Sequence, residues 1–332
     1  MAAGEWLDVS AETNIATISD ATAPDGLTAW LETTANLSMT NWPGKATYDQ
    51  SSGIVSMIGC TNGYSSESPA GVHHAEFYFD LATGLFSKQW NPLGVNISHV
   101  YDMNGSRPLG GYVYRRPFND TDLYRRASGG TTWASYADLT SLSLSTVSGM
   151  DVFPTLGDSG SIIFAGSGKV SRLDIATGAQ STLATGLSQA TGLHLVCSYH
   201  AGEDCVVVGG GETGSSYLHK VDHTGTVTQL TSSLPGSIPG IGPHNGLNVL
   251  LLPDPAGRSI AHLIDVDTTG THYTLDLGDG TWTLVGDTPT GMDTRTNVCG
   301  AAVVGAGALI FFDGRGRGAG VSLAKVWLHK VS

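Results

Sequence analysis

Two short stretches of the chain invite a chemical reading, and both fail on their surroundings. Residues 157–161 read GDSGS, a pattern that can enclose a serine nucleophile. Such a serine needs a histidine base and a buried aspartate held in place around it. Here the segment separates two apolar runs, where Gly-Asp-Ser-Gly makes an ordinary hairpin turn. Ser159 is expected in that turn, without a catalytic role. Residues 166–170 read GSGKV. A phosphate-binding loop requires a glycine five positions before its second glycine and a hydroxyl residue after the lysine. The chain has Ile163 and Val170 there, so the motif fails.

Histidine is the other source of chemistry. Of the 11 in the chain, His73, His74, His99, His194, His200, His244 and His262 show no His-x-x-x-His spacing, the pattern of a helical metal site. Histidines scattered through strands more often serve as hydrogen-bonded, half-buried side chains, and neither a metal nor a cofactor is expected. One set is more specific. His99, Asp151, His194, His244, Asn245 and Asn297 stand at or just before the start of apolar runs. If those runs are inner strands of a ring, the six converge on one mouth of its axial channel, where ligand sites gather. The plainer reading, which we prefer, is that they line a hydrated channel.

The elements that would place these residues come from a repeat. FYFDLATGLFSKQW (from Phe77), SRLDIATGAQSTL (from Ser171), HKVDHTGTVTQL (from His219) and YTLDLGDGTWTLV (from Tyr273) share an alternating strand, an aspartate, a glycine-containing turn and a second strand. LYRRASGGTTWASY (from Leu123) is a fainter copy. Asp80 to Asp174 spans two steps of 47 residues, Asp174 to Asp222 is 48, and Asp222 to Asp276 is 54. A strand-built period of this size denotes propeller blades. Upstream of the hairpins lie KATYD, SHVYDM, MDVFPT, LHLVC, GLNVLLL and VCGAAVV, starting at Lys45, Ser98, Met150, Leu193, Gly246 and Val298. Six inner strands predict an all-β fold: a single β-propeller of about six four-stranded blades over residues 42–332.

The chain's last run, KVWLHKV (325–331), lacks a following partner, and EWLDV (5–9) alternates well enough to pair with it. Residues 1–9 are therefore expected as a closing strand that removes an exposed edge. Residues 10–41 fit no repeat and read as an arm or linker. The strand ending in glycines, VVVGGG at 206–211, followed by a strand with an Asp-x-x-Thr-Gly turn, resembles the kelch family across about residues 42–332. No blade carries the full double-glycine and tryptophan signature. The resemblance implies the propeller fold and leaves function open.

Composition narrows the partners. Only 14% of residues are charged and 40% are hydrophobic, which excludes a disordered chain or a coiled coil. A net charge of −13 repels phosphate backbones, so no nucleic-acid partner is expected. Arg315 and Arg317 read as solvated residues of a glycine-rich loop. The N-terminus shows no basic start and apolar core of a secretory signal, and the apolar stretch 300–312 is too short to span a bilayer, so no membrane insertion is expected. Cys60, Cys197, Cys205 and Cys299 lack metal-type spacing and read as buried thiols. Cys197 and Cys205 flank a hairpin and could face each other across it. The favoured function is a non-catalytic structural or interaction protein, a bacteriophage virion component (tail, nozzle or decoration protein) located in the virion. Its expected partners are other virion subunits and host-surface carbohydrate. The alternatives are a channel-mouth enzyme, lactonase-like hydrolase or lyase, and a carbohydrate-binding propeller using aromatics such as Tyr112, Tyr114, Trp133 or Trp282.

Overall fold

The computed structural model describes residues 1–14, 37–38, 45–61, 74–90, 93, 103–117, 120–144, 148–187, 195–210, 218–230, 249–265, 270–290, 292, 298–313 and 325–332. They form six antiparallel sheets arranged as the blades of a propeller. Blade 1 runs outward through Thr47–Asp49, Ile54–Thr61, His74–Asp80 and Leu85–Trp90, with Leu37–Ser38 also pairing to its second strand. Blade 2 holds Tyr112–Arg115, Asp122–Ala127 and Trp133–Asp138. Its inner edge is completed by an Asn104–Arg115 bridge and by the Arg116 amide donating to the Met103 carbonyl at 3.0 Å. Blade 3 is Gly149–Phe153, Ser161–Gly166, Lys169–Asp174 and Gln180–Thr185. Blade 4 is Val196–His200, Cys205–Gly209, Leu218–Asp222 and Val227–Gln229, and blade 5 is Val249–Pro253, Ile260–Asp265, Thr271–Asp276 and Trp282–Asp287. Among the described residues, helix is confined to two short 3-10 turns, Ser10–Glu12 and Thr140–Leu142.

Blade 6 takes Val298–Val303, Ala308–Asp313 and Lys325–Lys330 from the end of the chain and Trp6–Asp8 from its beginning. Trp6 pairs with His329 and Asp8 with Trp327, and the Lys325 ammonium donates to the Asp8 carboxylate at 2.8 Å. This is the expected closure: the ring has no free edge at its seam. Beyond it, Asn14 bonds both backbone groups of Phe86 on the outer strand of blade 1, tying blade 6 to blade 1 from outside. Of the arm expected at 10–41, residues 15–36 and 39–41 lie outside the described residues.

Burial grades outward and explains the sequence pattern. The inner strands Gly149–Phe153 and Val196–His200 are buried at every position, because neighbouring blades cover both their faces. They therefore have no solvent-facing side, and the polar residues they carry, Asp151, Ser198 and His200, are buried too, whereas outer strands such as Gln180–Thr185 are largely open to solvent. The repeated aspartate has a local task. Asp80, Asp174, Asp222 and Asp276 each end a third strand, and their carboxylates accept amide hydrogens of the following turn. The turn glycine then enters the left-handed region, as at Gly178 with φ 71°, which a residue with a Cβ adopts only at a cost. Residues 157–160 form the connection between the first two strands of blade 3, and Ser159 is exposed there. Cys197 pairs with Val208 and Cys205 with His200, so the two cysteines do not oppose each other; both are buried free thiols.

Candidate functional site at the propeller axis

The inner strands bring polar groups from five blades to the axis. Lys45 enters just before Thr47–Asp49 and bridges Gly300 of blade 6. Its ammonium crosses the ring, donating to the Met150 carbonyl of blade 3 at 2.5 Å and the Cys197 carbonyl of blade 4 at 2.6 Å. The Asp151 carboxylate lies 3.9 Å away. Asp151 is fully buried. One of its oxygens accepts from the amides of Ser106 and Val152 at 2.7 and 2.8 Å, and the other from the amide of Tyr199 at 2.9 Å. Asn104 of blade 2 donates to the Lys45 carbonyl at 2.8 Å, and the Thr47 hydroxyl donates to the Gly105 carbonyl at 2.6 Å. Gly149 permits the close approach of blades 3 and 4, since a Cβ there would lie 2.5 Å from the Leu195 carbonyl oxygen. A cation so buried is tolerable only because carbonyls and a carboxylate replace its water.

Of the six residues expected at the channel mouth, Asp151 is therefore inside the ring and occupied with backbone amides of three blades. His99, His194, His244, Asn245 and Asn297 lie outside the described residues. Lys45 and Asn104 were not singled out by sequence reasoning. A lysine leading an inner strand, in a chain with only 16 lysines and arginines, was the available signal.

On the face where the inner strands end, a depression of about 430 Å³ is lined by Tyr48, Gln50, Arg107, Pro108, Ser128 and Val304 among others. The neighbouring Asp49 is committed to Ser51, Ser128 and the Gly129 amide. Burial opposes its charge, but these hydrogen bonds outweigh burial and hold its carboxyl below the usual range.

Two further polar clusters lie between blades. In the seam between blades 5 and 6, Asp254 contacts His262 at 3.0 Å and accepts from Arg258 at 2.7 Å; His262 in turn meets His272 at 2.9 Å. The His272 ring lies edge-on to His329, and Trp6 of the closing strand covers His329 at 4.3 Å between ring centroids. Burial, reinforced by the charge of His262, pushes His272 down to about 2 and His329 to about 4. In the seam between blades 1 and 2, the fully buried Glu76 faces Arg126 and Arg115 at 3.2 and 3.5 Å. Its other oxygen accepts from the Tyr78 hydroxyl and the Trp133 indole, both at 2.7 Å. Burial opposes the charge of Glu76, yet the two guanidiniums hold its carboxyl below the usual range. Among the described residues, no three histidine, cysteine or acidic side chains are grouped to hold a metal.

The fold and this axis define a six-bladed β-propeller. No protein-family model and no curated protein sequence matches the chain. Among solved structures it is similar to a Bacteroides thetaiotaomicron protein of unknown function, with 12% identity over 97% of this chain and 75% of that one and a TM-score of 0.56. It is also similar to the calcium-binding protein regucalcin from Agrobacterium tumefaciens, with 12% identity over 86% of this chain and 88% of that one and a TM-score of 0.52. At such identities the shared property is the fold.

Proposed function

We propose that this propeller is a non-catalytic interaction scaffold that presents its faces to other protein subunits. The observation that carries the reading is the Lys45 pin. An ammonium bonded to carbonyls of blades 3 and 4, on a strand bridged to blade 6, braces the middle of the ring where an open channel would otherwise run. The polar groups described at the axis are spent on the fold itself, which leaves recognition to the two faces and the outer strands. Tyr114 and Trp133 are buried in blade seams, so they do not offer their faces to a sugar.

The assembly we assign is a bacteriophage virion. A chain that is 14% charged, with 45 glycines and a net charge of −13, suits a rigid all-β part that must avoid nucleic acid. The test is the protein content of particles purified through a density gradient. Peptides of this chain at a fixed ratio to the capsid protein are expected. A chain found only in the unsedimented fraction, while particles form normally, overturns the virion assignment.

A further inference from the structure

We propose that the seam between blades 1 and 2 holds a binding site for one monovalent anion, centred on Arg115. Among the described residues, the charge count there does not close. Two guanidiniums, Arg115 and Arg126, share a single carboxylate, Glu76, and each of the three side chains is 2% exposed or less. The hydrogen-bond count is more uneven still. Arg126 donates to Glu76, to the Ser56 hydroxyl at 2.8 Å and to the carbonyls of Gly130 and Ala127 at 3.2 and 3.5 Å. Among the described residues, Arg115 has no hydrogen-bond partner at Nε or at either Nη.

Glu76 cannot turn to serve Arg115 without abandoning Arg126, Tyr78 and Trp133. The Trp133 ring, 5.1 Å from the Arg115 guanidinium carbon, offers its π face but no in-plane acceptor. A guanidinium keeps its proton where a lysine would shed it, so burial leaves one uncompensated positive charge and five unmet N–H groups. Both counts are met by a single small anion in the guanidinium plane. A halide or the carboxylate of a ligand supplies that chemistry. A divalent oxyanion would leave the seam with net negative charge.

The full chain is unfolded thermally at constant ionic strength in rising chloride, in rising formate, and in a bulky sulfonate as control. Chloride or formate is expected to raise Tm by a few degrees over the sulfonate, by mass action on the native state, and Arg115→Met to abolish the difference. A Tm that ignores the anion, or an anion effect that persists in a folded Arg115→Met variant, overturns the proposal. Should the variant fail to fold, bromide soaked into wild-type crystals decides. An anomalous peak within hydrogen-bond distance of the Arg115 guanidinium supports the site, and its absence in bromide-saturated crystals sinks it. Displacement of that bromide by formate assigns the site to carboxylate ligands, and retention assigns it to halide; either result keeps the anion site.

Discussion

Between blades 3 and 4, Phe153, Ile163, Tyr199, Val206 and Val208 belong to one buried apolar layer. Between blades 1 and 2 the apolar cluster shrinks to Ile58, Leu93, Val113, Tyr124 and Trp133, and the polar network of Glu76, Arg115 and Arg126 fills the seam beside it. Both seams must hide one face of each blade from water. The first does so by contact area, which is non-directional and falls gradually as atoms are removed. The second does so by charge balance, where one missing partner leaves an uncompensated ion in a poorly solvating interior. The same architecture thus tolerates change at one seam and is brittle at another.

The sharpest way to break this comparison is Glu76→Gln. It strands two buried guanidiniums and is expected to cost about 3–5 kcal/mol in a urea titration, the range for unpairing a buried ion; a loss below about 1 kcal/mol would mean that water reaches the seam. Next comes the closing strand. Trp6 stacks on His329 and on Phe311 at 5.3 Å while remaining half-buried, so Trp6→Ala should cost about 3 kcal/mol, the low end for a large aromatic. Removing residues 1–9 should exceed it, and a deletion with unchanged Tm refutes closure as a source of stability.

The seam between blades 5 and 6 adds a pH dependence that an apolar seam lacks. Burial holds His329 down to about 4 and His272 to about 2, and it holds His200 to about 3 at the inner end of blade 4. The unfolded chain takes up protons at these histidines as pH falls through 6.5, while the folded chain does not. Stability is therefore full above that pH. It is lost on acidification at up to about 1.4 kcal/mol per pH unit for each histidine, and the His329 contribution levels off near its folded pKa of about 4. Denaturation midpoints at pH 7 and 5 should differ accordingly, with a shallower slope for His329→Phe; equal midpoints would contradict neutral buried histidines. The smallest effect is expected at the apolar seam, where Ile163→Val should cost about 0.5–1.5 kcal/mol. A loss as large as that of Glu76→Gln would erase the distinction between the seams.

Strand alternation, the aspartate-and-glycine turns and their spacing were enough to determine the all-β class, the inner strands of blades 1, 3, 4, 5 and 6, and the pairing of Trp6–Asp8 with Lys325–Lys330; the expected inner strand of blade 2, from Ser98, lies outside the described residues except for Met103. These signals are local: a period of two along a strand, and a positive φ within a turn, are written in adjacent residues. The axis and the seams were decided only by tertiary structure. Lys45 finds its carbonyl partners 105 and 152 positions away, and Arg126 finds Glu76 50 positions away. Glu76 and Arg126 sit in alternating strands where a charged residue is ordinarily solvent-facing, and no short-range pattern marks them as buried. Closing the ring brings each blade's polar positions against another blade, and that juxtaposition, not the residue type, makes Lys45 a pin, Asp151 a backbone tie and Arg115 the second guanidinium on one carboxylate.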